Sequence, residues 1–284
     1  MDIDPKTFNI DPARVAAAIT PRTRAVLCVH QMGMPCDLSG LLEITTSKRL
    51  ALVEDAACAI GSEIQWMGKW ERIGKPHGDI ACFSFHPRKV MSTGDGGMIT
   101  TSNPEWDARF RLLRQHGMSV PDTVRHAASQ VIFETYPILG YNYRMTDIQA
   151  AVGREQLKRL PDIIASRRAM AGRYRDLLAG IPGLHVPYEP PFARSNWQSF
   201  CVSLPVNADQ KAFMQRMLDA GISTRRGIMC SHREEPYLDA VAPRSLPNSE
   251  AAQDRSIVLP LFPQLTSADQ EHIATTLRKA CLGQ

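Results

Sequence analysis

The 284 residues are 44% apolar and 22% charged, enough material for a sizeable core, which excludes disorder or a fibrous repeat as the main state. At about 150 residues per domain the length suggests two domains, or one with an appendage. A net charge of +4 with no basic run longer than two residues lacks the footprint of a nucleic-acid binder. No apolar stretch approaches the ~20 residues of a membrane helix. The start, Met1-Asp2-Ile3-Asp4-Pro5, is acidic where a secretory signal is basic, so a cytoplasmic protein is expected. Seven scattered cysteines without a C-x-x-C pair fit reduced thiols better than a disulfide framework or a zinc site, and no metal is expected. Arginine outnumbers lysine 25 to 8, so each lysine is easier to weigh.

In chain order, Asp11-Pro12 opens a helix to about Ile19. Ala25 to Val29 has the length and β-branching of a buried strand, and His30 to Pro35 forms a loop at its C-terminal end. A helix over roughly Leu38 to Lys48 leads to a second strand from Leu50 that ends in Glu54-Asp55. Such a βαβ unit makes a parallel sheet whose ligands sit outside the strand C-termini, where Asp55 stands. Neighbouring strand residues point to opposite sides, so only one of Glu54 and Asp55 faces a ligand.

Polar sequence with Gly68, Gly74 and Gly78 separates this unit from a third strand, Ile80 to Phe85, and a glycine-bearing loop, His86 to Gly97, precedes a fourth near Met98 to Thr101. A helix capped at Ser102 or Asn103 carries Trp106, Phe110 and Leu113 on one face and ends at Gly117. Residues 118 to 143 show no period, as in a functional or interfacial loop. Helices over 147–157 and 161–178 follow, and the domain change is placed between them: 1–160 as a large domain, 161–284 as a linking helix and a small α/β domain. In the latter, Phe200, Val202 and Leu204 alternate as a half-buried strand, a helix from Asp209 stops at Gly221, and Ser267-x-x-Gln270 reads as a capping box before the last helix.

The densest chemistry lies in Ser84-Phe85-His86-Pro87-Arg88-Lys89 and Thr93-Gly94-Asp95-Gly96-Gly97. A serine at a strand end can hold a phosphate, and a lysine five residues later can act as an amine nucleophile beside glycines that let backbone approach a flat ligand. A surface lysine next to an ordinary glycine hairpin fits the same spacing. The loop is no P-loop, since the Gly-Lys-Ser/Thr ending is absent. Asp55 adds a second requirement of a pyridoxal phosphate site, an acid for the pyridinium nitrogen, although a helix-cap or structural carboxylate would also sit there. His30, His116 and His232 read as structural or solvated histidines with substrate contact as the alternative, and Arg225-Arg226 as a solvated pair that could meet a substrate anion.

Val53 to Ala57, Gly78 to Lys89, Gly94 to Ile99 and Gly140 to Ala151 together resemble the DegT/DnrJ/EryC1/StrS aminotransferases, pyridoxal phosphate enzymes of fold type I acting mostly on nucleotide-linked keto sugars. The resemblance implies an α/β fold with a mostly parallel, here incomplete, sheet in the large domain and a smaller C-terminal α/β domain. It also implies that Lys89 carries the cofactor as a Schiff base, that Asp55 pairs with the pyridine nitrogen, and that Ser84 binds the cofactor phosphate. Asn142 would reach the phosphate in a neighbouring subunit, so a homodimer with shared active sites is expected. Cys58, near the cofactor ring, stands where much of the family has glutamine or histidine.

Family members carry a further N-terminal segment before the stretch matching Asp2 to Pro5, with early strands, a turn on the cofactor phosphate and an aromatic residue stacked on the ring. Against that pattern a truncated member is expected, with an uncovered sheet edge. The function implied is transfer of an amino group, from glutamate, to a nucleotide-linked keto sugar. The family's dehydratase branch has histidine in place of the lysine, so Lys89 argues for transamination. The competing reading is a catalytically silent remnant or a partner-dependent fragment.

Overall fold

The structure is a computed structural model that describes residues 1–75, 77–238 and 245–283. Asp11 opens α1 (Pro12–Ala18), its carboxylate accepting the Ala13 N–H while Pro12 fills a first-turn position that needs no donor. After β1 (Ala25–Val29), Asp37 caps α2 (Leu38–Lys48) on the Gly40 N–H, and Arg49 ends it in the left-handed conformation. β2 (Ala51–Asp55) then pairs with β1 in parallel, from Ala25 beside Ala51 to Val29 beside Asp55, completing the expected βαβ unit.

The stretch expected as an irregular polar connection holds a hairpin, β3 (Glu63–Trp66) and β4 (Lys69–Arg72). Its two-residue turn has positive φ at both Met67 (47°) and Gly68 (79°), the requirement of a type I′ turn. Methionine at the first of these positions hides the signal that asparagine or aspartate would give. β5 (Ile80–Ser84) adds to β2 in parallel and β6 (Gly97–Thr100) to β5 in antiparallel, giving the sheet order β1-β2-β5-β6.

Side-chain alternation gives this sheet two faces. Val26, Cys28, Leu52 and Ala81 point inward and form a core with Val15, Leu38 and Leu41 of α1 and α2. Full burial of each such leucine is worth about 1.5–3 kcal/mol. Leu27, Val29 and Ile99 on the other face remain exposed.

Asn103 caps α3 (Pro104–Arg114) through its Oδ1 on the Glu105 and Trp106 N–H groups; Trp106, Phe110 and Leu113 are only half-buried. Residues 118–143 are irregular apart from α4 (Asp122–Ala127). The two helices expected around Pro161 are one, α5 (Asp147–Leu178). Proline removes a helix hydrogen bond, but Leu160, Ile164, Arg167, Met170, Ala171, Tyr174 and Leu178 keep one buried stripe running across it. Continuous burial overrides the local breaker, and position 160/161 lies inside the helix.

β7 (Ala193–Arg194) pairs with β3. β8 (Phe200–Ser203), α6 (Gln210–Asp219), β9 (Arg225–Arg226), α7 (Pro247–Arg255), β10 (Ser256–Leu259) and α8 (Ser267–Cys281) follow, with a second sheet ordered β8-β10-β9. Tyr174, Phe200, Val202, Met217, Ile257, Leu259 and Leu277 fill the second core. Cys201 is buried too, so β8 is covered on both faces instead of half-buried. The capping box of α8 sits one residue earlier than expected: Thr266 and Asp269 exchange bonds, while Gln270 is buried and donates to the Met170 carbonyl. All seven cysteines are free thiols. Among the described residues no helix is long and apolar enough to cross a membrane, and no cluster of His, Cys, Asp and Glu could hold a metal ion.

Glu54 points into the first core, fully buried, where its Oε1 accepts the Gly78 N–H at 2.9 Å and its Oε2 meets His30 Nε2 at 2.9 Å. His30 Nδ1 accepts the Cys36 N–H at 3.0 Å, so the ring proton is on Nε2 and is donated to the carboxylate. His30 is therefore structural. Removing one member of such a buried pair strands the other without its partner. His30→Ala is expected to cost about 3–5 kcal/mol in a urea titration; a loss below about 1 kcal/mol would show that the pair does not hold β2 in place.

Candidate active site

Because laterally paired strand residues share a face, the register of β2 on β5 puts Asp55 beside Cys82 and on the same side as Ser84, two residues further along. That is the face opposite Glu54. The Asp55 carbonyl accepts the His30 N–H at 3.0 Å, and the Ala56 N–H reaches the Cys82 carbonyl at 2.9 Å, so the strand end is tied on both flanks. The Asp55 carboxylate accepts only the Ala57 N–H, at 3.0 Å, and has no cationic partner among the described residues. Burial, and secondarily the charge of Asp55, pushes the neighbouring Cys82 thiol above its ordinary pKa. The Ser84 hydroxyl receives a single long bond of 3.4 Å from the His86 N–H.

The chain turns after β5, with the Lys89 N–H on the His86 carbonyl at 2.9 Å. Lys89 Nζ lies 3.2 Å from Cys58 Sγ, which follows β2 by three residues. Like Asp55, Lys89 has no ion-pair partner among the described residues. Two amides from the second half of the chain fix its surroundings. Gln198 accepts the Val90 N–H at 2.9 Å and donates to the Arg88 carbonyl at 2.8 Å, gripping the backbone on both sides of Lys89. Asn196 donates to the Cys58 and Ile60 carbonyls, both at 2.9 Å. Val90 packs on Leu160 and Ile164 of α5. The glycine loop is braced as well: the Thr93 hydroxyl donates to the Asp95 carbonyl at 2.6 Å, and Gln149 at the start of α5 donates to the same oxygen at 3.0 Å.

The structure thus joins Lys89 to Cys58 and sets Asp55 and Ser84 on adjacent strand ends of the same sheet. Asn142 is not brought to them. It is exposed on an arm pinned to the end of α3, where Tyr141 and Tyr143 donate to the Leu113 and Arg114 carbonyls at 2.7 and 2.9 Å. Backbones meet closely there: a Cβ on Gly140 would lie 1.9 Å from the Gly117 nitrogen.

Sequence reasoning missed Asn196 and Gln198, which belong to no periodic element; their only signal is two amides flanking Trp197. His116 is exposed, and His232 pairs with Glu250 at 3.1 Å. Arg225 and Arg226 are exposed on β9.

Residues 1–278 match the DegT/DnrJ/EryC1/StrS aminotransferase family. Among solved structures, the chain is similar to the aminotransferase TlmJ from Streptoalloteichus hindustanus, with 30% identity and a TM-score of 0.88 over 99% of this chain and 72% of that one. It is similar to DesI, solved in the presence of its TDP-sugar product, with 31% identity and a TM-score of 0.86 over 100% of this chain and 69% of that one. A sugar aminotransferase from Micromonospora echinospora shares 28% identity, with a TM-score of 0.85 over 98% of this chain and 73% of that one.

Gln198→Ala leaves the Val90 N–H and the Arg88 carbonyl without their partner, so hydrogen exchange at the Val90 amide should quicken, with a stability loss of about 1–3 kcal/mol. Unchanged exchange at Val90 would mean that Gln198 does not hold the lysine loop.

Proposed function

Since this chain belongs to the DegT/DnrJ/EryC1/StrS aminotransferase family and is an aminotransferase, we propose that it transfers an amino group from glutamate to a nucleotide-linked keto sugar, with pyridoxal phosphate held on Lys89. The observation that carries this reading is the placement of an amine with no carboxylate partner among the described residues, Lys89 Nζ, beside Cys58 at the C-terminal end of a mostly parallel sheet whose neighbouring strand ends present Asp55 and Ser84. This donor set fits the cofactor: a primary amine for covalent attachment, a carboxylate without a cation for a protonated ring nitrogen, and a hydroxyl with spare capacity for a phosphate oxygen.

When bound, pyridoxal phosphate supplies an electron-withdrawing ring that lets a carbon–hydrogen bond next to nitrogen break and reform. Asp55 keeps the ring nitrogen protonated through its negative charge, because an opposite charge within a few ångströms favours the charged form. Ser84 orients the phosphate. Lys89 Nζ would be the general base that takes the proton from the substrate carbon and the general acid that delivers it to the cofactor carbon, the proton shift that transamination requires. Cys58 Sγ steers the amine toward this position. The family match and the likeness to DesI, whose product is a TDP-sugar, support a nucleotide-sugar acceptor.

The 118–148 arm supports a second copy of the chain as partner. Val131, Phe133, Tyr136, Leu139, Tyr141, Tyr143 and Ile148 are all exposed on it, an apolar surface that marks interaction sites. In this reading Asn142 leaves its own site and serves the cofactor phosphate of the partner subunit. In the same reading residues 1–160 bear the cofactor and 161–284 face the substrate, with α5 running across the division between them.

Mixing the chain with pyridoxal phosphate should give a visible absorption band, and borohydride should then fix the label on Lys89. Lys89→Ala is expected to abolish both, and Asp55→Asn to keep the label while lowering turnover by orders of magnitude. Labelling spread evenly over other lysines would remove Lys89 from the mechanism.

A hybrid of Lys89→Ala and Asn142→Ala subunits should regain activity that neither variant has alone, because one of its two sites is then intact. If mixing restores nothing, the sites are not shared through Asn142.

A further inference from the structure

Two nucleophiles face one another in the candidate site. Lys89 Nζ lies 3.2 Å from Cys58 Sγ, within the separation of about 3–3.5 Å from which a bond can form with little rearrangement. Both side chains are half-buried, so a small reagent can reach them. One short segment holds both partners. Asn196 donates to the Cys58 carbonyl at 2.9 Å, Gln198 bonds the backbone on either side of Lys89, and the Gln198 N–H donates to Asn196 Oδ1 at 2.8 Å. The two braces are tied to one another, so the thiol and the amine are held together and do not meet by chance.

The other cysteines sit differently. Cys28, Cys36, Cys201 and Cys230 are buried. Burial pushes the thiols of Cys36, Cys82 and Cys281 above their ordinary pKa and that of Cys201 up to about 12. For Cys82 the charge of Asp55 adds to the effect. Thiols of that kind are inert, whereas partly exposed thiols beside a basic side chain are the ones that oxidants select. Cys58 is of the second kind.

We propose that Cys58 and Lys89 form an oxidative modification site, in which a peroxide converts the thiol to a sulfenic acid and the lysine amine captures it as a sulfenamide cross-link. In the first step the sulfur takes one oxygen from hydrogen peroxide, the O–O bond breaks and water leaves; the sulfur is oxidised by two electrons and the peroxide reduced by two. In the second step the lone pair of neutral Nζ attacks the sulfur, the S–N bond forms and the S–O bond breaks. The departing hydroxide takes a proton from nitrogen and leaves as water. The chain has then lost two hydrogens and gained no atom. A thiol reductant reverses this by attacking the sulfur, which returns the amine, and a second thiol frees Cys58 from the mixed disulfide.

The cross-link follows from the geometry of the pair, and its consequence rests on the function proposed above. It occupies the amine on which pyridoxal phosphate would be carried, so oxidation closes the site, and a cofactor that takes the amine first shields it.

The test treats the full chain, free of cofactor, with one equivalent of hydrogen peroxide, blocks the remaining thiols and maps the peptides by mass spectrometry. The expected product joins Cys58 to Lys89, lighter than the two separate peptides by two hydrogens, and dithiothreitol abolishes it. In Lys89→Arg, which keeps a cation and removes the primary amine, trapping of the sulfenic acid at Cys58 by dimedone should rise about tenfold or more over the parent chain. A bridge that keeps an oxygen, a disulfide from Cys58 to another cysteine, or equal dimedone trapping in parent and variant would each overturn the sulfenamide. The map of the parent chain decides the matter even if the variant does not fold. Pyridoxal phosphate added before the peroxide should suppress the bridge about tenfold or more, and the bridged chain should take no borohydride label on Lys89 until it is reduced; equal bridging with and without cofactor would overturn the closing of the site. Normal labelling of the untreated chain with no bridge removes this proposal alone. Absent labelling of the untreated chain removes the function, and the peptide map still judges the cross-link.

Discussion

The site hangs on one buried hydrogen-bonded carboxylate. Glu54 accepts from His30 and from the Gly78 backbone inside the first core, and a fully buried carboxylate is tolerable only with such donors. With Glu54 committed inward, the pleat of β2 turns Asp55 outward, because a strand cannot slip by one residue without exchanging its two faces. A one-residue slip would bury Asp55 among leucines and expose Glu54. Which of the two carboxylates faces outward is thus specified by Glu54 as much as by the contacts of Asp55 itself.

A second constraint acts across the molecule. The lysine loop is held on both sides of Lys89 by Gln198, and the neighbouring segment that bears Cys58 by Asn196, side-chain amides acting where a sheet would use backbone. Amides suit this task, since each offers a donor and an acceptor and carries no charge that would compete with an amine nearby. Lys89 is left beside the Cys58 thiol, with no counter-ion for it among the described residues.

Much of this was legible in the sequence because the governing signals are local. The strand runs, the Asp11 and Asn103 caps and the adjacency of Glu54 and Asp55 each follow from a few neighbouring residues, and the ordered motifs carry the family. What escaped depends on partners far along the chain. Pro161 looks like a helix boundary until the buried stripe of α5 is seen to continue through it, and β8 looks half-buried although its second face, at Cys201, is covered as well. The β3–β4 hairpin was obscured by a methionine in a turn position usually held by asparagine or glycine. Gln198 could not be found from sequence, because a glutamine shows no preference for the loop more than a hundred residues away that it braces.

That distance has a consequence for how the protein is made. The residues that clamp the lysine loop come 108 positions after Val90 and 138 after Cys58. During synthesis the four strands β1, β2, β5 and β6 are all present once β6 has emerged, whereas the backbone beside Lys89 stays without the Gln198 brace until residues 196–198 have left the ribosome. A ligand that needs a fixed Lys89 therefore selects finished chains. A ligand that depends on this brace would be captured late, after residues 196–198 have been made, and would not be the nucleus around which the nascent chain assembles.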